Sequence, residues 1–253
     1  MISTNNFPET ADIETSSNDY ASRFSGEIGA WLLKVQEEAT LKMLADYPQA
    51  TILDVGGGHG QLTEPLIKGG YEVTVFGSDE SCQQRIQSLV DQNLCSFKVG
   101  NVLNLPYPDN SFDVALSYRF MAHVDNWQQF VKELARVAKK AVIIDYPTVR
   151  SANAIAPYLF KFKKGVEGNT RPFICYKEQE LLEFFTSIGF KQGDRYAQFF
   201  WPMVLHRMLK SVKISSVLEN SIRFTGLTHV FGSPAIAKFT PENIPENIRQ
   251  IKH

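Results

Sequence analysis

The chain has 253 residues and carries 26 Lys and Arg against 27 Asp and Glu, a net charge of −1 at neutral pH. Hydrophobic residues make up 43% and charged residues 21%, values that exclude an intrinsically disordered chain. Three cysteines with no C-x-x-C pair exclude a disulfide framework and a cysteine zinc site, so no metal is predicted. The sequence has no run of 18 apolar residues and no signal-like N-terminus, which predicts a cytoplasmic protein.

The two parts of the chain differ in charge. Residues 1–150 carry 12 basic and 19 acidic side chains, whereas residues 151–253 carry 14 and 8. Neither part has the dense basic stripe of a nucleic-acid binder, so no nucleic-acid partner is predicted. A basic C-terminal part would attract an anionic small molecule or a membrane surface.

The N-terminal region divides into two predicted segments. Residues 1–19 are rich in Ser, Thr, Asn and Asp and are predicted to form a mobile leader. From Tyr20 onward, apolar residues at helical spacing predict an amphipathic helix that ends before Pro48. The apolar positions are Phe24, Ile28, Trp31, Leu32, Val35 and Ala39.

Short apolar strands alternate with helical segments between residues 51 and 146. This alternation predicts a doubly wound α/β domain with a mostly parallel sheet, and residues 20–147 are assigned to the N-terminal helix plus this core. The predicted strands are 51–55, 71–76, 95–99, 112–118 and 141–146. The predicted helices are 60–68, 79–92 with Ser78 as its N-cap, and one that Asp125 caps.

The C-terminal region is less regular. Residues 148–239 are predicted to form a cap insertion and the last strands of the same domain, and 240–253 a polar tail. Within it we predict helices at 177–188 and 203–212 and strands at 190–199 and 230–239.

The sequence Asp54-Val55-Gly56-Gly57-Gly58-His59-Gly60 stands between a predicted strand and a predicted helix. Such a junction offers unpaired backbone N–H groups, and glycines let a ligand approach closely. Its spacing is acid-x-G-x-G-x-G. The dinucleotide fingerprint G-x-G-x-x-G would require glycine at Gln61, and no G-K-[ST] follows, so neither NAD nor ATP is the predicted ligand.

The glycine loop resembles motif I of class I S-adenosylmethionine (SAM)-dependent methyltransferases. The stretch LPYPDNSFDVALSY and the later ELARV are similar to the ubiquinone-type, methyltransferase type 11 branch of that family. The resemblance is strong over residues 51–147, moderate over the N-terminal helix and weak over 148–253. It implies a Rossmann-like, seven-stranded fold, SAM as cofactor and S-adenosylhomocysteine (SAH) as product.

The resemblance also implies the cofactor contacts. Asp54 would hold the amino group of SAM, the backbone of Gly56, Gly58 and Gly60 would face its methionine part, and Arg23 would clamp its carboxylate. Asn101 would meet the adenine edge. The remaining implied contacts are Val102 and Ser117.

One position departs from the family pattern. The acid that usually holds the ribose at the tip of the second strand is Gly77 here, followed by Ser78 and Asp79. Either Asp79 reaches back from the helix start, or Ser78 and backbone groups hold the ribose.

Candidate catalytic residues follow the fourth strand. His123 would act as a base and Tyr118 would line the acceptor pocket; the alternative for each is a packed structural residue. Asp145 is interpreted as structural, and His59 either contacts the cofactor or faces solvent.

The segment 198–213 mixes aromatic and basic residues. Its favoured interpretation is a packed cap helix; the alternatives are a lid over a hydrophobic acceptor and contact with lipid, and membrane contact is not favoured. We expect the N-terminal helix around Tyr20–Trp31, the end of the fourth strand around Tyr118–His123 and this cap to wall the acceptor pocket.

The predicted function is methyl transfer from SAM to a small, hydrophobic or anionic molecule, with oxygen as the acceptor atom. One alternative is a catalytically silent SAM-binding regulatory or partner subunit, which the change at Gly77 favours. An RNA or protein methyltransferase is the other, but no N-P-P-Y motif supports it. Fold alone does not fix the acceptor, and the oligomeric state stays open.

Overall fold

The computed structural model describes residues 7–151 and 173–242, in which seven strands form one sheet. The spatial order is β3-β2-β1-β4-β5-β7-β6; the first five strands in this order run parallel, and β7 runs antiparallel to both of its neighbours. The predicted doubly wound, mostly parallel, seven-stranded Rossmann-like fold is confirmed. The strands are β1 Thr51–Val55, β2 Glu72–Gly77, β3 Ser96–Val99, β4 Phe112–Ser117, β5 Ala138–Tyr146, β6 Phe190–Ala197 and β7 Ala235–Pro241.

Helices cover both faces of the sheet, and short 3₁₀ turns connect some of them to the strands. The α-helices are α1 Ala11–Thr15, α2 Asn18–Ser22, α3 Gly26–Leu44, α4 Thr63–Lys68, α5 Gln87–Asp91, α6 Trp127–Val137, α7 Glu178–Ser187, α8 Met203–Leu209, α9 Val212–Phe224 and α10 Leu227–Phe231. No helix in the described part of the chain is long and apolar enough to cross a bilayer.

Side chains of alternating strand residues pack into two hydrophobic cores, one on each face of the sheet. Leu53 and Val55 of β1 pack with α6 on one face, whereas Ile52 packs with α3 on the other. Asp54 lies on the same face of β1 as Ile52, so an ionisable side chain occupies a core position. It is the next-to-last residue of β1, directly before the glycine loop.

The connection from β6 to β7 lies at the same edge of the sheet as the glycine loop. The register pairs Tyr146, the last residue of β5, with Ala235, and Ala235 with Ala197, the last residue of β6. Residues 198–234 therefore leave and re-enter the sheet at the carboxyl edge, where β1 ends. This is where ligands bind in open α/β sheets.

The leader prediction is wrong for residues 7–19, since they include α1 and α2 and the side chains of Ala11, Asp12 and Thr15 are buried. The long N-terminal helix begins at Gly26 rather than near Tyr20. A leader rich in polar residues gives no periodic signal of such packing, because what buries these side chains is contact with the distant glycine loop.

The segment predicted as one helix at 79–92 is two short pieces, a 3₁₀ turn at Glu80–Gln83 and α5. The N-cap of the first piece is Asp79 rather than the predicted Ser78. The Asp79 side chain accepts a hydrogen bond from the N–H of Ser81. Cys82, in the 3₁₀ turn, packs against Gly58 of the glycine loop.

Two other boundaries differ from the predicted ones. Asn126, not Asp125, precedes α6, and residues predicted as strand from 230 end α10 before β7 begins.

A polar clamp ties the loop before β4 to α6. The Arg136 guanidinium donates to the carbonyls of Leu105 and Tyr107 at 2.9 and 2.7 Å and to Glu133 at 2.7 Å. Glu133 in turn accepts from the N–H of Leu105 at 2.7 Å. One guanidinium thus satisfies two backbone carbonyls and one carboxylate, so the loop and the helix are fixed together.

We expect Arg136→Met to lower the free energy of unfolding by about 2–4 kcal/mol, because it leaves the carbonyls of Leu105 and Tyr107 without this donor and the Glu133 carboxylate without its counter-ion. Arg136→Lys keeps the charge but not the planar fork, so its loss should lie between those of Arg136→Met and the wild type. Urea unfolding measures both variants. A change below the error for Arg136→Met would show that the clamp is dispensable.

Candidate functional site

The glycine loop turns through two left-handed residues. Gly56 has φ +79° and Gly60 has φ +71°, and a 3₁₀ turn at Gly57–His59 lies between them. The N–H of Gly56 donates to the carbonyl of Phe76 at 2.8 Å, which holds the loop against β2. Only glycine adopts these two conformations without strain, so the spacing noted in the sequence is a backbone requirement.

Asp54 lies directly below this loop and is fully buried. Neither carboxylate oxygen has a hydrogen-bond partner among the described residues. A Cβ placed on Gly57 would lie 2.1 Å from its Oδ2, so only glycine leaves room for the carboxylate. Burial raises the pKa of Asp54 to about 7. A buried, unpartnered carboxylate is costly, and a cationic ligand group would relieve that cost.

His59 is buried inside the loop, so the alternative that it faces solvent is wrong. Its Nδ1 accepts from the N–H of Gln61 at 3.2 Å, and its Nε2 has no partner among the described residues. Burial, and then the nearby positive charge of Arg119, lower the pKa of His59 to about 3. The ring is therefore neutral.

Residues 9–16, here called the N-terminal segment, lie between the glycine loop and the tip of β2. The Asp12 carboxylate accepts from the N–H and the hydroxyl of Ser78 at 2.6 and 2.5 Å. Ser16 Oγ would lie 2.5 Å from a Cβ on Gly58. Glu9 accepts from the N–H of Asn126 at 2.9 Å. These contacts anchor the segment across the predicted cofactor cleft.

At the tip of β2, the side chains of Ser78 and Asp79 are engaged within the chain, and their contact with a ribose stays a prediction. Asp79 is turned away, since its carboxylate caps Ser81 at 2.8 Å. Ser78 is buried and both of its donors are used by Asp12. Gly77 is tightly packed, because a Cβ there would lie 3.0 Å from the side chains of Cys82 and Phe97, which would have to shift. The acid at the β2 tip is therefore Asp12, which the sequence analysis missed because nothing in the leader marked it.

Three other predicted cofactor residues lie at the same edge but use their polar atoms internally. Asn101 Oδ1 accepts from the N–H of Leu103 at 2.9 Å, and the Ser117 hydroxyl donates to the carbonyl of Val55 at 2.9 Å. Val102 is fully buried in the core beside α6. Their contact with a cofactor stays a prediction.

The guanidinium that contacts the glycine loop belongs to Arg85, whose Nε donates to the carbonyl of His59 at 3.2 Å, and the positive charge of Arg119 also acts on the His59 ring. Arg23 is exposed and lies over the ring of Tyr20, 5.1 Å from its centroid. Arg119 has φ +60°, its guanidinium lies 3.9 Å from the centroid of Phe24, and its Nη2 donates to Gln36 at 2.9 Å. A non-glycine residue in this conformation is strained, which is frequent at functional sites.

Asp145 fixes the backbone of Arg119, whose N–H it accepts at 2.5 Å. Burial raises the pKa of Asp145 to about 6. Its contact is with the main chain, in agreement with the structural interpretation.

The two predicted catalytic residues point in different directions. Tyr118 is fully buried and its hydroxyl lies 2.7 Å from Thr40 Oγ1, so it faces α3 instead of an acceptor pocket. Burial raises the pKa of Tyr118 well above its ordinary value of 10.0. His123 ends a 3₁₀ turn after β4, and its ring packs edge-on against Phe173, with centroids 5.8 Å apart.

The cap packs against the N-terminal helix. Trp31 of α3 lies 5.4 Å from Phe199 and 5.2 Å from His206, measured between ring centroids. Glu219 of α9 accepts from His206 at 2.9 Å and from the N–H groups of Phe200 and Trp201. The buried Glu219 thus fastens the cap, and α8 is a packed helix, as the favoured interpretation held.

The pKa of Asp54 makes the stability of the ligand-free protein depend on pH. Its folded value, about 7, exceeds the ordinary value of 3.8, so stability falls as pH rises from about 4 to about 7. Asp12 and Asp145 shift in the same direction. Relative to wild type, Asp54→Asn should become increasingly stable over this range, by roughly 4 kcal/mol at most.

Urea unfolding at several pH values measures this difference. Glu64→Gln, an exposed residue of α4, is the control and should give a flat difference. A flat difference for Asp54→Asn would mean that its carboxylate is solvated or paired in solution.

Comparisons with known proteins agree with this geometry. Residues 53–144 match a family model described as a methyltransferase domain. The chain is 31% identical over 150 residues to a 2-phytyl-1,4-naphtoquinone methyltransferase of Trichormus variabilis, covering 55% of this chain and 62% of that protein. It is 30% identical over 142 residues to an ajmaline N-methyltransferase of Rauvolfia serpentina, covering 49% and 47%. The chain thus spans about half to three fifths of these relatives.

Solved structures share the fold at low sequence identity. A magnesium protoporphyrin IX methyltransferase from Synechocystis PCC 6803, crystallised with SAH, superposes with a TM-score of 0.61 at 15% identity, covering 90% of this chain and 97% of that one. A possible histamine N-methyltransferase from Thermotoga maritima gives 0.59 at 18% identity, covering 92% and 99%. Residues 53–144 are therefore similar to the methyltransferase domain, and the chain shares the fold of these structures.

Proposed function

We propose that this protein transfers a methyl group from SAM to a small organic molecule. The observation that carries the proposal is the buried Asp54 carboxylate, unpartnered among the described residues, below a loop with two left-handed glycines. The amino group of SAM is a cation that suits this carboxylate, and the loop backbone can approach the methionine part closely. The residues present at the loop therefore fit the cofactor.

When bound, SAM supplies an electrophilic methyl group, and the protein's residues align the acceptor with it and exclude water. Asp54 would orient the cofactor, while Trp31 and Phe199, packed between α3 and the cap, would keep the edge dry. We propose an oxygen acceptor whose proton passes to His123. The support is positional, since His123 follows β4 at the edge that carries the glycine loop.

The acceptor class is proposed from two features. The Phe24, Trp31 and Phe199 side chains form an aromatic lining between the N-terminal helix and the cap. The buried Arg119 Nε has no hydrogen-bond partner among the described residues, so it would suit an anionic group of the acceptor. Relatives named for a phytyl naphthoquinone and for ajmaline also indicate small molecules with apolar parts.

A second candidate, a catalytically silent SAM-binding subunit, is favoured by one observation: Asp12 occupies both donors of Ser78. Formation of SAH from SAM in the presence of a prenylated hydroquinone or an aromatic amine distinguishes the two. Turnover above the background supports the enzyme, whereas SAH binding without turnover for either acceptor class supports the silent subunit.

We expect Asp54→Asn to weaken SAH binding by about 10-fold to 100-fold, because it removes a charged hydrogen bond worth about 1.5–3 kcal/mol. Isothermal titration calorimetry at pH 8, where Asp54 is ionised, measures it, with Glu64→Gln as the matched control. Gly58→Val is unsuitable, because its Cβ would lie 2.3 Å from the carbonyl of Cys82 even without ligand. Equal affinity in wild type and Asp54→Asn would contradict the assignment.

For Asp12 we expect the opposite effect on SAH binding, an increase in affinity when the side chain is removed. If the N-terminal segment competes with the cofactor for the β2 tip, Asp12→Ala should tighten SAH binding several-fold, because fewer contacts are broken on binding. Asp19→Ala, on the exposed side of α2, is the control. Weaker binding by Asp12→Ala would instead make Asp12 a direct ligand of the ribose.

A further inference from the structure

The connection between β6 and β7 exposes an unusual amount of apolar surface. Seven large hydrophobic side chains of α8, α9 and α10 are exposed, and Phe224 is 95% exposed. We call this surface the cap face. Its apolar members are Met208, Ile214, Val217, Phe224, Leu227, Val230 and Phe231. Contiguous patches of this kind mark interaction sites on soluble domains.

The pattern within α9 is inverted relative to a surface helix. Ile214, Val217 and Phe224 follow at i, i+3 and i+10 on the outer side, whereas Ser215 and Glu219 are buried on the inner side. The buried Glu219 is used to fasten the cap. Two polar side chains of the helix thus serve the fold, while three large apolar side chains are left outside.

The same inversion occurs in α10. Leu227, Val230 and Phe231 lie at i, i+3 and i+4 and are exposed, while Thr228 is buried. The helices α9 and α10 are joined by Thr225 and Gly226 alone and contact each other, so their exposed apolar residues belong to the same part of the surface. Met208 extends it onto α8, where it is 71% exposed.

The exposed charges that residues 199–234 themselves contribute have a single sign. Between residues 199 and 234 the sequence contains four Lys or Arg and one acid, Glu219, which is 4% exposed. Arg223 is engaged with the carbonyls of Ala197 and Gln198. Lys210 and Lys213 are exposed next to Met208 and Ile214. The accessible formal charge of the cap face is therefore positive.

We propose that the cap face rests on a bilayer that contains anionic lipids. Apolar side chains flanked by Lys are the pattern of helices that lie in the interface, where the rings and aliphatic chains enter the acyl boundary and the ammonium groups meet the headgroups. A protein partner or a second copy would have to provide acidic groups for Lys210 and Lys213, and the cap face offers no exposed acidic group to pair with basic groups of that partner. Because residues 198–234 join the sheet at the edge of the glycine loop, the bilayer would lie beside that edge. This inference goes beyond the proposed methyl transfer and does not require it.

Vesicle flotation of the full-length chain tests the proposal. The probes are vesicles of phosphatidylcholine alone and of phosphatidylcholine mixed with phosphatidylglycerol. We expect binding to the mixed vesicles that decreases as salt is raised, since the Lys contribution is screened. Phe224→Ser combined with Phe231→Ser should lower the bound fraction about 10-fold, and Lys210→Glu combined with Lys213→Glu should remove the preference for phosphatidylglycerol.

Two control variants change similar side chains elsewhere. Leu94→Ser alters an apolar residue that is 46% exposed, and Lys139→Glu reverses an exposed charge on β5. Both should bind vesicles like the wild type. Thermal unfolding checks that each variant is folded. We expect the Phe224→Ser change to be tolerated, because this side chain is exposed and packs against little of the protein.

Two outcomes would overturn the proposal. One is wild-type protein that floats with neither vesicle. The other is a Phe224→Ser, Phe231→Ser variant that floats as well as the wild type. If the wild type forms a dimer that this variant loses, while vesicle binding is absent, the cap face is an interface between two copies.

Discussion

The buried carboxylate of Asp54 is the constraint on which the rest of the site depends. It sits at a core position of β1 with no partner among the described residues, and Gly57 must lack a side chain to accommodate it. Burial favours its neutral form, so the ligand-free fold is penalised at the pH where a cation could best pair with it. A site that is unfavourable without ligand and complementary to a cation is pre-organised for binding.

The edge around Asp54 is crowded by parts of the chain far apart in sequence. Asp12 and Ser16 of the N-terminal segment contact Ser78 and Gly58, and Cys82 of the 3₁₀ turn also packs against Gly58. His59 is buried and neutral between them, within reach of the charge on Arg119. The glycine loop therefore lies beside the N-terminal segment, whose Ser16 is next to Gly58, and access to the loop depends on how firmly that segment is held.

The sequence was sufficient for features that arise from local chemistry. Strand periodicity and the glycine spacing identified β1 and its loop to the residue, since a buried strand and left-handed glycines leave local signals. It was insufficient for contacts that depend on tertiary packing. Asp12 accepts a hydrogen bond from Ser78, 66 positions away, and the guanidinium that contacts the loop belongs to Arg85 rather than Arg23. Tyr118 follows a strand whose last residues alternate between faces, and only packing shows that it points to Thr40. Predicted positions at 152–172 and 243–253 lie outside the described residues.

The central claim is that the edge formed by Asp54 and the glycine loop is the cofactor site. Hydrogen exchange of the full-length chain with and without SAH tests it most directly, because it reports on each segment separately. The account predicts that SAH slows exchange in peptides covering residues 54–62 and speeds it in the N-terminal segment, whose contacts with Ser78 would be broken. Unchanged exchange at residues 54–62 under saturating SAH would contradict the account.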